Sequence, residues 1–351
     1  MLRFFPVISN HTTLPTATAR ARFPLHCFAL TQAHRPAYHM KPLDSPFEIH
    51  LSVEAADASA VTLLSEASGL SKQRIKQVMQ NGAVWLSRVE GHGSSAGKNT
   101  RRLRRAKKAL ACGDELHLYY DSAIQATEPK TPHTIASENH YSVFFKPAGM
   151  PGQGSKWGDH CAINRWAERQ LDKPAFTVHR LDKAAAGLIL IAHTKTMAAA
   201  LANLFQQRAL DKHYRALVHG KFPDTPLLLD SPVDERKARS MASLLQYNDH
   251  NQTSLLEVVI DTGRKHQIRR HLSGAGYPIV GDRLYGSDTR DNKETDLQLM
   301  AFSLRFINPD SGEQVLYSVP KALISKALIT EALIPKQLIP KEPATSTKSP
   351  A

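Results

Sequence analysis

The chain has 351 residues, 42% of them hydrophobic, and a formal net charge of +13. That length suggests two domains with a sizeable core, and the lack of any run of 18 apolar residues argues against a membrane-spanning helix. The positive excess points to a polyanionic partner, nucleic acid first. The three cysteines, Cys27, Cys112 and Cys161, lie far apart with no CxxC pair, which argues against a disulfide framework or a cysteine zinc site and fits a reducing, cytoplasmic compartment.

In chain order, residues 1–46 are expected as a disordered extension. Residues 1–39 contain arginines and no acid, so an organelle transit peptide is the other reading. Residues 47–121 predict a small α/β module. Ala60, Leu63, Leu64 and Ala67 share one helical face. Ser71 can cap a second helix that turns Ile75, Val78 and Met79 inward and leaves Lys72, Arg74 and Lys76 for solvent or phosphate. Asn81-Gly82 turns the chain into a strand at 83–86, and Glu115–Tyr120 is a second strand. Between them Lys98–Lys108 carries seven cations in eleven residues, including Arg101, Arg102, Arg104 and Arg105. It is expected as a loop that attracts phosphate backbone without reading sequence. Two short helices, a turn and a strand ahead of such a segment resemble the S-four-like RNA-binding domain.

Residues 122–137 are polar, hold two prolines and are expected as a linker. A strand at 140–146 ends in Lys146, where an ammonium before a Gly/Pro turn could meet an anionic substrate. A helix is expected at 160–171. Thr194 can cap a helix with Met197, Leu201, Leu204 and Phe205 inward. Strands are predicted at 213–219 and 254–261, with 222–252 as loops or a poor hairpin. Arg264–His271 is expected as a basic helical turn, followed by a last β pair at 299–306 and 314–319. The tail 321–351 repeats about every five residues, fits neither helix nor strand period, and is expected as low-complexity chain or a frayed helix.

The chemistry centres on His179-Arg180-Leu181-Asp182-Lys183. No serine or cysteine triad is arranged around Asp182, so it would act as nucleophile or base itself, or else be a surface ion-pair partner. Arg180, Arg264, Arg269 and Arg270 are candidate partners that would keep it ionised. Tyr214 would be a packing residue, or one that stacks on a base or moves a proton. His266 and His271 lack metal-ligand spacing and sit among cations, so no metal is expected. Neither a P-loop nor a dinucleotide fingerprint occurs.

Together HRLDKAAAGLILIAHT, HYRALVHG and TGRKHQIRRHLSGAGYPIVGDRLYG, preceded by FFKPAGMP, resemble the RluA-type pseudouridine synthase family over about residues 138–320. The resemblance implies an α+β fold with a mixed, largely antiparallel central sheet and flanking helices. It implies RNA as partner and no cofactor; a monomer is expected, and ribosomal RNA ahead of transfer RNA given the N-terminal module. A non-catalytic RNA-binding or ribosome-assembly protein is the alternative. Asp182 matches the attacking aspartate, Tyr214 the tyrosine against the flipped base, and Arg269 the arginine that pairs with the nucleophile. Arg180 matches the residue that helps hold the flipped arrangement. His179, Lys146 and Gln267 fall among the expected substrate contacts, with Leu284 and Tyr285 near the pocket wall. Two departures stand out: Ala184-Ala185-Ala186 replaces a hydroxyl-bearing pair before Gly187, and Lys265 follows Thr262-Gly263-Arg264 where threonine is usual.

Overall fold

The computed structural model describes residues 45–56, 58–90, 97–286 and 295–327. Most of the N-terminal extension and of the C-terminal tail therefore lies outside the described residues.

The first sheet is built from β1 (Phe47–Ser52), β2 (Val84–Glu90), β3 (Gly97–Arg102) and β4 (Glu115–Tyr120), in the order β1-β4-β2-β3. Helices α1 (Ala60–Ser68) and α2 (Lys72–Gln80) cover one face. Alternation along β4 sends Leu116, Leu118 and Tyr120 inward against Leu64, Ile75, Val78 and Met79. Ser59 and Ser71 cap the two helices through their side chains. The basic stretch is not wholly a loop: residues 97–102 form an edge strand paired with β2, with Trp85 opposite Arg102. Charged side chains suit an exposed edge, which is why composition alone suggested a loop.

Residues 122–137 also hold structure. They contain α3 (Ser122–Ala126), capped by Asp121, and β5 (His133–Ser137). The large sheet continues with β6 (Tyr141–Lys146), α4 (Ile163–Leu171), β7 (Phe176–Thr177), β8 (Ala186–Ala192), α5 (Lys195–Gln207), β9 (Asp211–His219), β10 (Leu227–Leu229), β11 (Ser240–Asn248), β12 (Thr253–Ile260), α6 (Gln267–Gly274), β13 (Leu299–Ile307) and β14 (Gln314–Ser318). Its order is β10-β11-β12-β9-β13-β8-β6-β5, with β14 against β13 and β7 against β8. Every pairing is antiparallel except β13 with β8, so the sheet is mixed and the fold α+β. Residues 222–252, expected as loops or a poor hairpin, contain β10 and the nine-residue β11, which pair antiparallel. β11 is half exposed along much of its length and bulged between Leu244 and Gln246, so it lacks a clean period-2 pattern. The tail begins as a helix, α7 (Lys321–Ala327), with Leu323 and Ile324 buried in the core.

β6 and β8 are buried along their whole length. One face packs Val143, Phe145, Leu188 and Leu190 on Met197 and Leu201 of α5. The other packs Phe144, Ile189 and Ile191 on Ile163 and Ala167 of α4. A strand covered on both faces needs continuous apolar residues, which Leu188–Ile191 supplies. Gly187 makes the junction with β13 possible: at φ +119, a β-carbon there would lie 2.3 Å from the Ala301 carbonyl oxygen.

Candidate active site

One row of residues across three strands sets the geometry. Tyr214 of β9 lies opposite Ala301 of β13, and Ala301 lies opposite Gly187 of β8. Asp182 sits five residues before Gly187, in the turn that feeds β8. Tyr214, Leu181 and Ala184 then pack against the same apolar cluster.

That turn is held from below. Lys146, fully buried at the end of β6, places its ammonium among the carbonyl oxygens of Ala185 (2.6 Å), Met150 (2.8 Å), Pro147 (3.1 Å) and Lys183 (3.3 Å). Burial pulls its pKa down to about 7, and the Asp182 charge opposes the fall. Lys146 thus clamps the backbone around Asp182 and does not present its charge to a substrate, which corrects the expectation for it. His179 is corrected likewise. Its Nε2 accepts from the Leu190 N–H at 2.9 Å, and its ring stacks on Phe205 with centroids 4.3 Å apart. Burial, then the nearby Lys212 charge, hold its pKa near 3, so it is neutral. Gln267 is the third correction. It is buried, accepts from Thr262 Oγ1 and the Arg264 N–H, and donates to the Arg239 carbonyl and Ser240. Lys146 and Gln267 are held by partners from their own turns as well as by distant ones, and His179 by the Leu190 N–H.

Arg269 comes from α6, which Ile268 and Leu272 anchor in the core. Its Nη1 is 3.7 Å from Asp182 Oδ2. Its Nε and Nη2 fork onto Asp282, at 2.8 and 2.6 Å. Asp282 Oδ1 also accepts from the Leu284 and Tyr285 N–H groups. Burial works against the Asp282 charge, but Arg269 and these N–H groups bring its pKa below the usual carboxylate range. His266 approaches from the other side, with Nε2 3.8 Å from Asp182 Oδ1 and Nδ1 3.0 Å from Tyr285 Oη. It adopts a left-handed backbone at φ 55, a strain of order 1 kcal/mol that aims the ring into the site. Burial lowers its pKa, with Asp182 opposing.

These groups line a cleft of about 240 Å³, with Asp182, His266 and Arg269 facing Ala184, Leu284 and Asp296. Leu284 is 66% exposed at its mouth. The Tyr285 ring lies 5.2 Å from the Arg269 guanidinium carbon. Burial and then the Asp182 charge push the Tyr214 phenol well above its ordinary pKa, so it is protonated. Arg180 is exposed beside Asp182. The site is a carboxylate balanced by a cation it does not touch, open to a cavity, with a protonated phenol nearby. It is suited to nucleophilic attack followed by proton transfer. Among the described residues no three His, Cys, Asp or Glu side chains cluster as a metal site.

Asp282 and His266 were missed as site residues in the sequence. The signal for Asp282 was a lone carboxylate between Gly281 and Leu284, in the same segment as the expected pocket wall. On the N-terminal module, Lys72, Arg101 and Arg105 are exposed, and Arg74 donates to Tyr120 Oη and Gln77. Arg102 and Arg104 are different: both pair with Asp159, which takes them out of the set expected to meet RNA phosphates.

A model of the family described as RNA pseudouridylate synthase matches residues 140–274. The dual-specificity RNA pseudouridine synthase RluA of Pasteurella multocida is 32% identical over 219 residues, covering 57% of this chain and 98% of that protein. The chain belongs to the RluA-type RNA pseudouridine synthase family. A ribosomal large subunit pseudouridine synthase D of Nitrosomonas europaea is 31% identical over 210 residues, 53% of this chain and 61% of its own. An uncharacterized RNA pseudouridine synthase of Aquifex aeolicus is 28% identical over 281 residues, 71% of this chain and 85% of its own. As a pseudouridine synthase the chain is an isomerase that acts on RNA. The family match spans Asp182, Tyr214 and Arg269 and ends before Asp282.

Proposed function

We propose that this synthase isomerises a uridine in structured RNA, ribosomal RNA ahead of transfer RNA, with Asp182 as nucleophile. The observation that carries the reading is the Asp182 carboxylate, open to the cleft and 3.7 Å from an arginine anchored elsewhere. The target base must leave its stack to reach it, at roughly a few kcal/mol. Asp182 then attacks, the glycosidic bond breaks, the base turns, carbon 5 joins the ribose, and the bond to Asp182 breaks to return its carboxylate. One proton leaves carbon 5 and one arrives at N1, so atoms and electrons balance without a redox or group-carrying cofactor. Tyr214, protonated at rest, gives its proton to N1 and takes up the one from carbon 5. Once the Asp182 charge enters the covalent bond, it no longer holds the phenol pKa up. Arg269 faces Asp182 as its counter-charge, and Arg180 at the rim fills the gap left by the flipped base.

The N-terminal module acts as an S-four-like RNA-binding domain, and the chain acts as a monomer. Two capped helices over a four-stranded sheet and the exposed cations Lys72, Arg101 and Arg105 support that assignment. Named relatives that act on the large ribosomal subunit support the preference for ribosomal RNA. The test is Asp182→Asn, which should lose pseudouridine formation while RNA affinity stays within about threefold. Retained turnover in that variant would overturn the assignment.

A further inference from the structure

Arg102 and Arg104 leave the module and reach one carboxylate on the catalytic side. Arg104 Nη2 donates to Asp159 Oδ2 at 2.5 Å, and Arg102 Nε lies 3.1 Å from the same oxygen. Asp159 is 9% exposed. Its N–H donates to the Asn81 carbonyl at 2.9 Å, and its Oδ1 faces Gly82, where a β-carbon would lie 2.4 Å away. The neighbouring backbone is gripped as well. Arg102 Nη2 donates to the Ser155 carbonyl (2.8 Å), Trp85 Nε1 to the Lys156 carbonyl (3.1 Å), and Gln125, itself held by Asn81, to the Trp157 carbonyl (2.9 Å). The Arg102 guanidinium lies 4.2 Å from the Trp85 ring, and Lys156 Nζ pairs with Glu48 at 2.5 Å. Residues 155–159 are therefore seated in a socket made by β1, the α2–β2 turn, β2 and β3. The same loop runs back to Met150, whose carbonyl receives the Lys146 ammonium that clamps the Asp182 turn.

We infer that Asp159 is a positioning residue, locking the N-terminal module to the catalytic sheet in one orientation so that RNA held by the module enters the Asp182 cleft in register. The inference rests on the reading of the module as an RNA-binding domain. Two guanidinium groups converging on one buried carboxylate cannot be satisfied by a neutral amide of the same size, because their charge stays buried without a counter-ion. Two binding surfaces held rigidly at the right spacing act as one, and loosening them lowers the effective concentration of the second.

The experiment uses the full chain. The substrates are total RNA from cells lacking the gene and a synthetic, unmodified segment of about 20 nucleotides around the uridine mapped in those cells, short enough to occupy the cleft alone. With Asp159→Asn, KM for intact RNA should rise about tenfold with kcat within about twofold, while both constants for the short segment stay at the wild-type values. The fall of log affinity with log salt should become shallower, because fewer phosphates are engaged together. Adding Arg104→Gln to Asp159→Asn should change nothing more, since both act on one joint. Wild-type KM and salt slope in Asp159→Asn would overturn the inference, as would an equal loss on both substrates. Should Asp159→Asn not accumulate as folded protein, Arg104→Gln alone leaves the catalytic side intact and should raise KM for intact RNA several-fold. An unchanged KM would again overturn the inference. The double substitution Lys72→Gln with Arg105→Gln separates the two ideas. If it leaves RNA affinity unchanged, the module reading fails; if it weakens binding while Asp159→Asn has no effect, the module reading stands and the joint fails.

Discussion

Arg269 faces Asp182 with a single nitrogen, at 3.7 Å, because its other two nitrogens are held by Asp282. The consequence is a carboxylate that has a counter-charge beside it and is still free to attack. A direct fork of Arg269 onto Asp182 would bind the same oxygens the reaction needs. Asp282 is therefore expected to tune the reactivity of Asp182 through Arg269. Asp282→Asn should lower kcat by about a hundredfold, a magnitude typical of losing an oriented electrostatic partner. It should also cost roughly 3–5 kcal/mol of stability by leaving a buried guanidinium without its counter-charge. Urea unfolding and turnover at a temperature where both proteins are folded measure the two effects separately. Wild-type kcat in Asp282→Asn would show that Arg269 needs no orienting partner.

Tyr214→Phe removes only the hydroxyl from a ring packed against the active-site turn. Proton transfer by a positioned side chain contributes about 10²–10⁴-fold, so kcat should fall by that factor with RNA affinity unchanged. Single-turnover pseudouridine formation with bound RNA is the measurement. A phenylalanine variant at full rate would assign the proton steps to another group.

Lys146 supplies a pH dependence of stability. Its folded pKa is about 7, well below the ordinary lysine value near 10.4. Between those values the unfolded chain binds the extra proton, so this lysine favours folding more as pH rises, by at most about 1.4 kcal/mol per pH unit. Lys146→Met deletes the titration and leaves four carbonyl oxygens without their donor, so the variant should be less stable throughout. The gap between wild type and variant should widen from pH 7 to pH 9 in urea melts. A constant gap over that range would mean that the ammonium titrates normally.

Gly187→Ala puts a β-carbon 2.3 Å from the Ala301 carbonyl oxygen at a residue with φ +119. No side-chain movement relieves a clash with backbone, so β8 must separate from β13 just after the Asp182 turn. Soluble yield should fall sharply, and recovered protein should unfold at lower urea and turn over slowly. Wild-type stability would show that the two strands can part without cost.

Much of this architecture is legible in the sequence, for a physical reason in each case. Leu188–Ile191 reads as a buried strand because both its faces are covered. α2 and α5 are announced by Ser71 and Thr194, whose side chains cap them. β1, β3 and β5 escaped, and β11 was left between a loop and a poor hairpin, because each lies at an edge or half in solvent, where polar residues are as suitable as apolar ones. At the site, Asp182, Tyr214 and Arg269 come from separated motifs and meet around one turn. The roles of Lys146, His179 and Gln267 were hidden because distant partners decide them: carbonyl oxygens from two loops, the Leu190 N–H, and the start of β11. Asp282 was hidden for the same reason, since nothing local distinguishes a turn aspartate from the buried counter-ion of an arginine thirteen residues earlier.

The most direct measurement maps pseudouridines in cells carrying no copy of the gene, a wild-type copy, or an Asp182→Asn copy. At least one ribosomal RNA uridine should be modified only with the wild-type copy, and the asparagine protein should still bind that RNA. An unchanged pseudouridine map across all three, or modification restored by the Asp182→Asn copy, would contradict that expectation.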